Sequence, residues 1–249
     1  MHYIWLQGWQ YAPPKVRERV EKNSELWTQA GASKVHLWDE DGISKLLSTN
    51  TRVLHWFKGL QTTIAKCDVG RAIILEAHGG IYADADFDPS PRGIRAMWKE
   101  ATETKKALFP ADKSMGLVNN YLIASVRQSP FWSQIYIPAV AAAIESPSAY
   151  DAAMALLRPT WPVLSTHGPI LISRLCVKFP SIASASLSVQ TSELGFHGWR
   201  GGDSAWYTTK TERFQRRAAL VTLLIAIWGV LLTLFLAGRL IFVEASTSI

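Results

Sequence analysis

Two carboxylates one residue apart, Asp84 and Asp86, close the run Gly79-Gly80-Ile81-Tyr82-Ala83-Asp84-Ala85-Asp86. Alternate residues of an extended chain share a side, so this pair can hold a divalent cation through hard oxygen ligands. A diphosphate would complete the coordination. The cation would then neutralise charge developing on that diphosphate as it leaves, without a proton from the protein. The same spacing also suits a solvated acidic turn. Asp68 and Arg71 stand three apart in a helical pattern, so they project from neighbouring turns of one face and can serve a common site. Their plainer reading is a surface ion pair of little energetic value.

Placing these residues requires helices and strands in a definite order. His2-Tyr3-Ile4-Trp5-Leu6, rich in aromatic and β-branched residues and ending near Gly8, reads as a buried first strand. Pro13 and Pro14 suit a helix start, and the charged run from Lys15 to Lys22 carries on toward a stop near Gly31. Val35 to Trp38 reads as a second strand. A helix is expected over 62–77, where Ile64, Ala65, Val69, Ala72, Ile73 and Ala77 form a stripe, with Gly79 as its cap. Ile81, Tyr82 and Ala83 form a short strand delivering Asp84 and Asp86 to a turn at Asp88-Pro89-Ser90-Pro91. Further on, Leu117-Val118 and 121–124 read as strands around Asn119-Asn120, Pro130 opens a helix through Ile144, and Val163 to Pro169 is a loop feeding a helix over 170–177. The β, α, β order predicts an α/β fold: a parallel or mixed sheet flanked by helices, with ligands beyond the carboxyl ends of its strands.

At 249 residues and 48% hydrophobic side chains, the chain fits one large domain. Its net charge of +6 permits an anionic partner: nucleic acid, a lipid surface or a phosphorylated metabolite. No helix-turn-helix, zinc-finger or RNA-binding signature points to nucleic acid. Cys67 and Cys176 lack CxxC spacing, so neither a disulfide framework nor a zinc site is indicated. Residues 218–238, AALVTLLIAIWGVLLTLFLAG, hold no charge and are long enough to cross a membrane as a helix. Lys210, Arg213, Arg216 and Arg217 precede this stretch, which favours a cytosolic face for the preceding domain. Met1 to Leu6 lacks the features of a secretory signal. The expected organisation is a catalytic domain over 1–209, a basic juxtamembrane segment over 210–217, a single transmembrane helix over 218–238 and a tail over 239–249.

The run from Cys67 through Asp86 resembles the DxD-containing glycosyltransferase family with the sugar-binding-region signature, of the family 32 type. Inositolphosphoceramide mannosyltransferases and yeast initiating α-1,6-mannosyltransferases belong to it, and the clostridial glucosylating toxins share the pattern more distantly. Similarity extends to Ile4-Trp5, Asn119-Asn120, Ser129-Pro130-Phe131, Thr166-His167-Gly168-Pro169 and the Trp-rich segment near residue 200. The resemblance implies a GT-A-like, Rossmann-type fold, a UDP- or GDP-hexose donor, Mn2+ or Mg2+, and retention of anomeric configuration.

By the same resemblance, Asp84 and Asp86 match the metal and sugar-diphosphate carboxylates, and Asp68 with Arg71 matches the pair serving donor sugar and ribose. Trp5 matches a base-stacking aromatic, though a core tryptophan suits that strand equally. Asn120 corresponds to a polar residue near the donor. Tyr82 can position the diphosphate through its hydroxyl or complete core hydrogen bonding. Ser204 and Trp206 look like a Ser-x-Trp that closes over the diphosphate, with Gly201-Gly202 permitting the motion. His197 can supply a third metal ligand as a neutral imidazole. Two departures stand out: Thr-His-Gly-Pro where the family has Thr-Gly-Pro, and a lone histidine at 197 where paired histidines are usual. The function expected is hexose transfer to a lipid-linked, glycan or other membrane-proximal acceptor, the span confining enzyme and acceptor to one surface. A toxin-like transferase acting on protein, and a non-catalytic nucleotide- or glycan-binding membrane protein, are the alternatives.

Overall fold

A computed structural model describes residues 1–112, 117–158, 160–186 and 194–197. The expected membrane span, its basic flank and tail, and Ser204 and Trp206 lie outside these residues. Among the described residues no helix is long and apolar enough to cross a membrane. They fall into two units. Met1–Ser148 with Pro162–Ser204 carries the sheet; the other unit is described over residues 149–158 and 160–161. That short segment holds a helix, Ala149–Leu157, tied to its own end by Trp161, whose indole donates to Asp151 Oδ1 at 2.9 Å and meets the Tyr150 ring edge-on.

In chain order the first unit runs β1 (His2–Ile4), α1 (Pro14–Gln29), β2 (His36–Trp38), α2 (Glu40–Leu46), α3 (Thr51–Gly59), α4 (Thr63–His78), β3 (Gly80–Ala83), β4 (Phe87–Pro89), α5 (Pro91–Thr104) and β5 (Ala107–Phe109). Next come β6 (Ala111–Asp112), β7 (Leu117–Val118), β8 (Leu122–Ser125), a wide helical turn at Phe131–Tyr136, α6 (Ile137–Glu145), a second wide turn at Val163–His167, α7 (Pro169–Lys178), β9 (Ala183–Ala185) and β10 (Gly195–His197). Six strands form the main sheet in the order β2-β1-β3-β8-β5-β9, in which β8 alone runs against its neighbours. This mixed sheet flanked by helices agrees with the α/β expectation.

Strand alternation divides the core between the two sheet faces. Ile4, Tyr82, Ile123 and Phe109 join a cluster with α2, α3, α4, α6 and α7, whereas Tyr3, Ile81, Ala83, Leu122 and Leu108 join one with α1 and α5. The long helix α4 is buried over much of its length, including Val69, Ala72, Ile73, Ile74 and Leu75. Thr62 caps it, its hydroxyl accepting from Ala65 N at 3.2 Å. Gly79 ends it at φ 64 and ψ −158, a conformation essentially reserved for glycine. A Cβ there would stand 2.4 Å from Arg127 N, so the close approach of that backbone also demands glycine.

Three local expectations need correction. Asp88 and Pro89 are strand residues, because β4 pairs antiparallel with distant β10, and the following helix starts at Pro91. The chain turns after Asp84, with Phe87 N donating to Asp84 O at 3.1 Å, so Asp84 and Asp86 flank a turn instead of sharing one side of a straight strand. Val163–His167 is a helical turn and not a loop.

Candidate active site

Parallel β1 and β3 end at the same sheet edge at which antiparallel β8 begins. That topology gathers Trp5 after β1, Asp84 after β3 and Asn120 before β8 at one edge. A backbone bond from Asp84 N to Tyr121 O, 2.8 Å, holds two of these loops together. Downstream, α1 grips β4: Arg19 Nε donates to Asp88 Oδ1 at 3.0 Å, and Asn23 Nδ2 donates to Phe87 O and Asp88 Oδ1. The turn bearing Asp84 and Asp86 is therefore fixed on both sides.

Arg71 is the hub. Its guanidinium pairs with Asp68 Oδ1 at 2.6 Å, stands 3.6 Å from Asp84 Oδ1, donates to the Asn120 carbonyl and lies 4.6 Å from the Tyr82 ring centre. Asp68 and Arg71 side chains are 3% and 5% exposed, so this is a buried pair and not a surface one. Burial alone would lower the Arg71 pKa, but Tyr82, Asp68 and Asp84 outweigh it and raise the pKa, so the guanidinium stays charged. Tyr82 is pushed well above its ordinary value, first by burial, so its hydroxyl remains protonated and donates to Asp84 Oδ1 at 2.8 Å.

Asp68 gathers more partners than the sequence foretells. Asn120 Nδ2 donates to its Oδ1 at 3.0 Å, and His167 Nδ1 donates to its Oδ2 at 2.6 Å. A carboxylate only accepts, so the proton of that second bond belongs to the imidazole. Tyr136, kept protonated chiefly by burial, donates to the His167 carbonyl at 2.6 Å. His167 and Tyr136 are the members of the cluster that sequence reasoning missed. Their nearest signal was the departure at Thr166-His167-Gly168-Pro169; nothing marked Tyr136.

Trp5 is half-buried and its indole N–H, closed off from solvent, has no acceptor among the described residues. A core tryptophan normally finds one. A cavity of about 210 Å³ is lined by Leu6 and Gln7, which follow Trp5 in the chain, and by Glu40, Thr62, Thr63 and Lys66. The structure brings Asp68, Arg71, Tyr82, Asp84 and Asn120 into one bonded network. Asp86 sits half-buried on the adjoining turn. The backbone of His197 pairs with Phe87, next to Asp86, which brings that residue to the same turn; its side chain lies outside the described parts.

The residues at this turn suit a hard divalent ion. Asp84 and Asp86 offer oxygen ligands of the kind Mg2+ and Mn2+ take. Among the described residues no cluster of three histidine, cysteine, aspartate or glutamate side chains forms a closed protein cage. Such a site would leave positions for phosphate oxygens and water, which is how Mg2+ is usually held.

Residues 15–99 match the profile described as glycosyltransferase sugar-binding region containing DXD motif. An uncharacterized glycosyltransferase of Acanthamoeba polyphaga mimivirus is 32% identical over 89 residues, which cover 35% of this chain and 34% of that protein. The matched part thus spans about a third of that relative's length. The solved PaToxG glycosyltransferase aligns with a TM-score of 0.44 and 13% identity, covering 72% of this chain and 68% of its own. Over residues 15–99, which carry Asp68, Arg71, Tyr82, Asp84 and Asp86, this chain is similar to glycosyltransferases with a DXD-containing sugar-binding region.

Proposed function

We propose that the protein is a GT-A-like glycosyltransferase that moves a hexose (mannose, glucose or galactose) from a UDP- or GDP-hexose to a lipid-linked, glycan or other membrane-proximal acceptor, with retention of configuration. One observation carries this reading. The Asp-x-Asp turn of a DXD sugar-binding region is wired through Tyr82 and Arg71 to buried Asp68, at the sheet edge where Trp5 holds an indole N–H lacking a protein acceptor.

Asp84 and Asp86 would hold Mn2+ or Mg2+, which when bound supplies positive charge against the departing nucleoside diphosphate. Tyr82 keeps Asp84 in place with a hydrogen bond that burial prevents from ionising away. Arg71 adds a fixed positive charge beside the same carboxylate, in a site too dry to screen it. Asp68, shared by Arg71, Asn120 and His167, holds these groups in register for the donor sugar. Trp5 would stack on the base. Ser204 and Trp206 would close over the diphosphate, and His197 would complete the metal's protein ligands. Residues 1–209 would form the catalytic domain, cytosolic, with 210–217 as a basic flank and 218–238 as the membrane anchor ahead of the tail, 239–249.

A panel of UDP- and GDP-hexoses, incubated with the purified full chain in Mn2+ or Mg2+, tests the reading through release of nucleoside diphosphate. Metal-dependent release from one donor, abolished by chelator, is the expected result. Absence of release from every donor sinks the proposal.

A further inference from the structure

A second cavity, of about 370 Å³, opens on the side of α4 that carries Ala65, between the end of α3, the end of α6 and the wide turn at Val163–His167. Its volume falls within the range of small-molecule sites, roughly 300–1,000 Å³. Trp56 and Ile144 give it apolar walls, while His55, Glu145, Thr166 and His167 place polar groups around them. Among the described residues lining it there is no lysine or arginine, and Glu145 would repel a phosphate. The cavity lined by Leu6 and Gln7 also carries a carboxylate, Glu40, there paired with Lys66 at 2.6 Å. The lining of this second cavity therefore suits a neutral ligand better than an anionic one.

His167 joins this cavity to the active site. Its Nδ1–H is spent on Asp68 Oδ2, and Asp68 in turn holds Arg71, 3.6 Å from Asp84. Nε2 has no partner among the described residues. In the neutral ring it is left as an acceptor, which suits a hydroxyl. A pyranose matches the whole lining, since its C–H face packs on an indole while its edge bears hydroxyls for scattered polar groups.

We propose that this cavity is the acceptor subsite and takes a neutral pyranose ring, stacked on Trp56, with one hydroxyl donating to His167 Nε2. The assignment rests on the transferase reading above, and its test is separable from that reading. Ligand-observed NMR on the full chain, with the methyl glycosides of mannose, glucose and galactose as probes, reads the site directly. At least one glycoside should bind, and an excess of UDP or GDP should not displace it. Trp56→Ala removes the platform; Ile144→Trp, at a position 43% exposed and so compatible with folding, fills the mouth. Each should weaken binding about tenfold or more, with circular dichroism confirming the fold. Failure of all three glycosides to bind, displacement by the nucleotides, or binding unchanged in Ile144→Trp overturns the subsite, even if donor hydrolysis proceeds. Glycoside binding that behaves as expected beside absent donor hydrolysis would instead retain a sugar site and remove the transferase.

Discussion

Arg71 holds a buried charge at the centre of the candidate site. Its charge is buried, yet Asp68, Asp84, the Asn120 carbonyl and the Tyr82 ring surround it. Removing one partner of such a pair strands the other charge, a loss of about 3–5 kcal/mol. Arg71→Met should therefore lower the urea midpoint of unfolding by an equivalent amount, and a midpoint matching the parent would refute the buried pairing. Asp84→Asn and Asp86→Asn act differently. Both positions lie on a half-buried turn, and an asparagine at 84 can still accept from Tyr82, so the fold should persist. Donor hydrolysis should fall at least about a hundredfold; measured rates close to the parent would exclude the turn from the chemistry. The sequence made Asp68, Arg71, Asp84 and Asp86 visible because they lie within one short run. His167 and Tyr136 were invisible as partners of Asp68, since nothing in local spacing reports a buried hydrogen bond made across the fold.

At the scale of elements, the helix–glycine–strand unit α4–β3 carries the site, and its signals are local. The helix over 62–77, its apolar stripe and the closing Gly79 are legible in the sequence, whereas the Thr62 cap is a finding of the structure. Gly79→Ala tests how strictly that joint is set. The substitution imposes a left-handed φ and a Cβ 2.4 Å from Arg127 N, so a loss above about 1–3 kcal/mol is expected. Unfolding of Gly79→Ala within experimental error of the parent would show that α4 can end otherwise. Thr62→Ala, at the other end, should cost about 1 kcal/mol by the same measurement. Less legible were the elements made by long-range pairing. Asp88-Pro89 carries turn-forming residues, but its backbone pairs with β10 and the Asp88 carboxylate accepts from Arg19 and Asn23, and those contacts outweigh the local preference. The wide turn at Val163–His167 likewise has no periodic signature, and Tyr136 secures its last carbonyl.

Across the described residues, the sheet separates the candidate site from a cluster of histidines. Trp5, Asp84 and Asn120 gather at one end of the strands, while His2 and His36 stand at the amino ends of β1 and β2, with His78 just before β3. His2 is buried between them: Trp38 Nε1 donates to its Nδ1 at 3.1 Å, and its Nε2 donates to Gly79 O at 2.8 Å. Both ring nitrogens are thus used by the neutral form. Burial, first among the causes, pushes its pKa down to about 3, and burial lowers His36 and His78 as well. A folded-state pKa below the unfolded value of about 6.5 means that the unfolded chain binds more protons in between, so stability rises with pH there. The urea midpoint should begin to decline below about pH 8, because burial has lowered the pKa of the Met1 amino group to about 6, and decline further as pH falls below about 6.5 toward about 3. His2→Gln, which can still offer one donor and one acceptor, should flatten that decline while leaving the midpoint at pH 8 lower. A midpoint that climbs on acidification, or a decline equally steep in His2→Gln, would show that this imidazole is not what makes the sheet edge sensitive to acid.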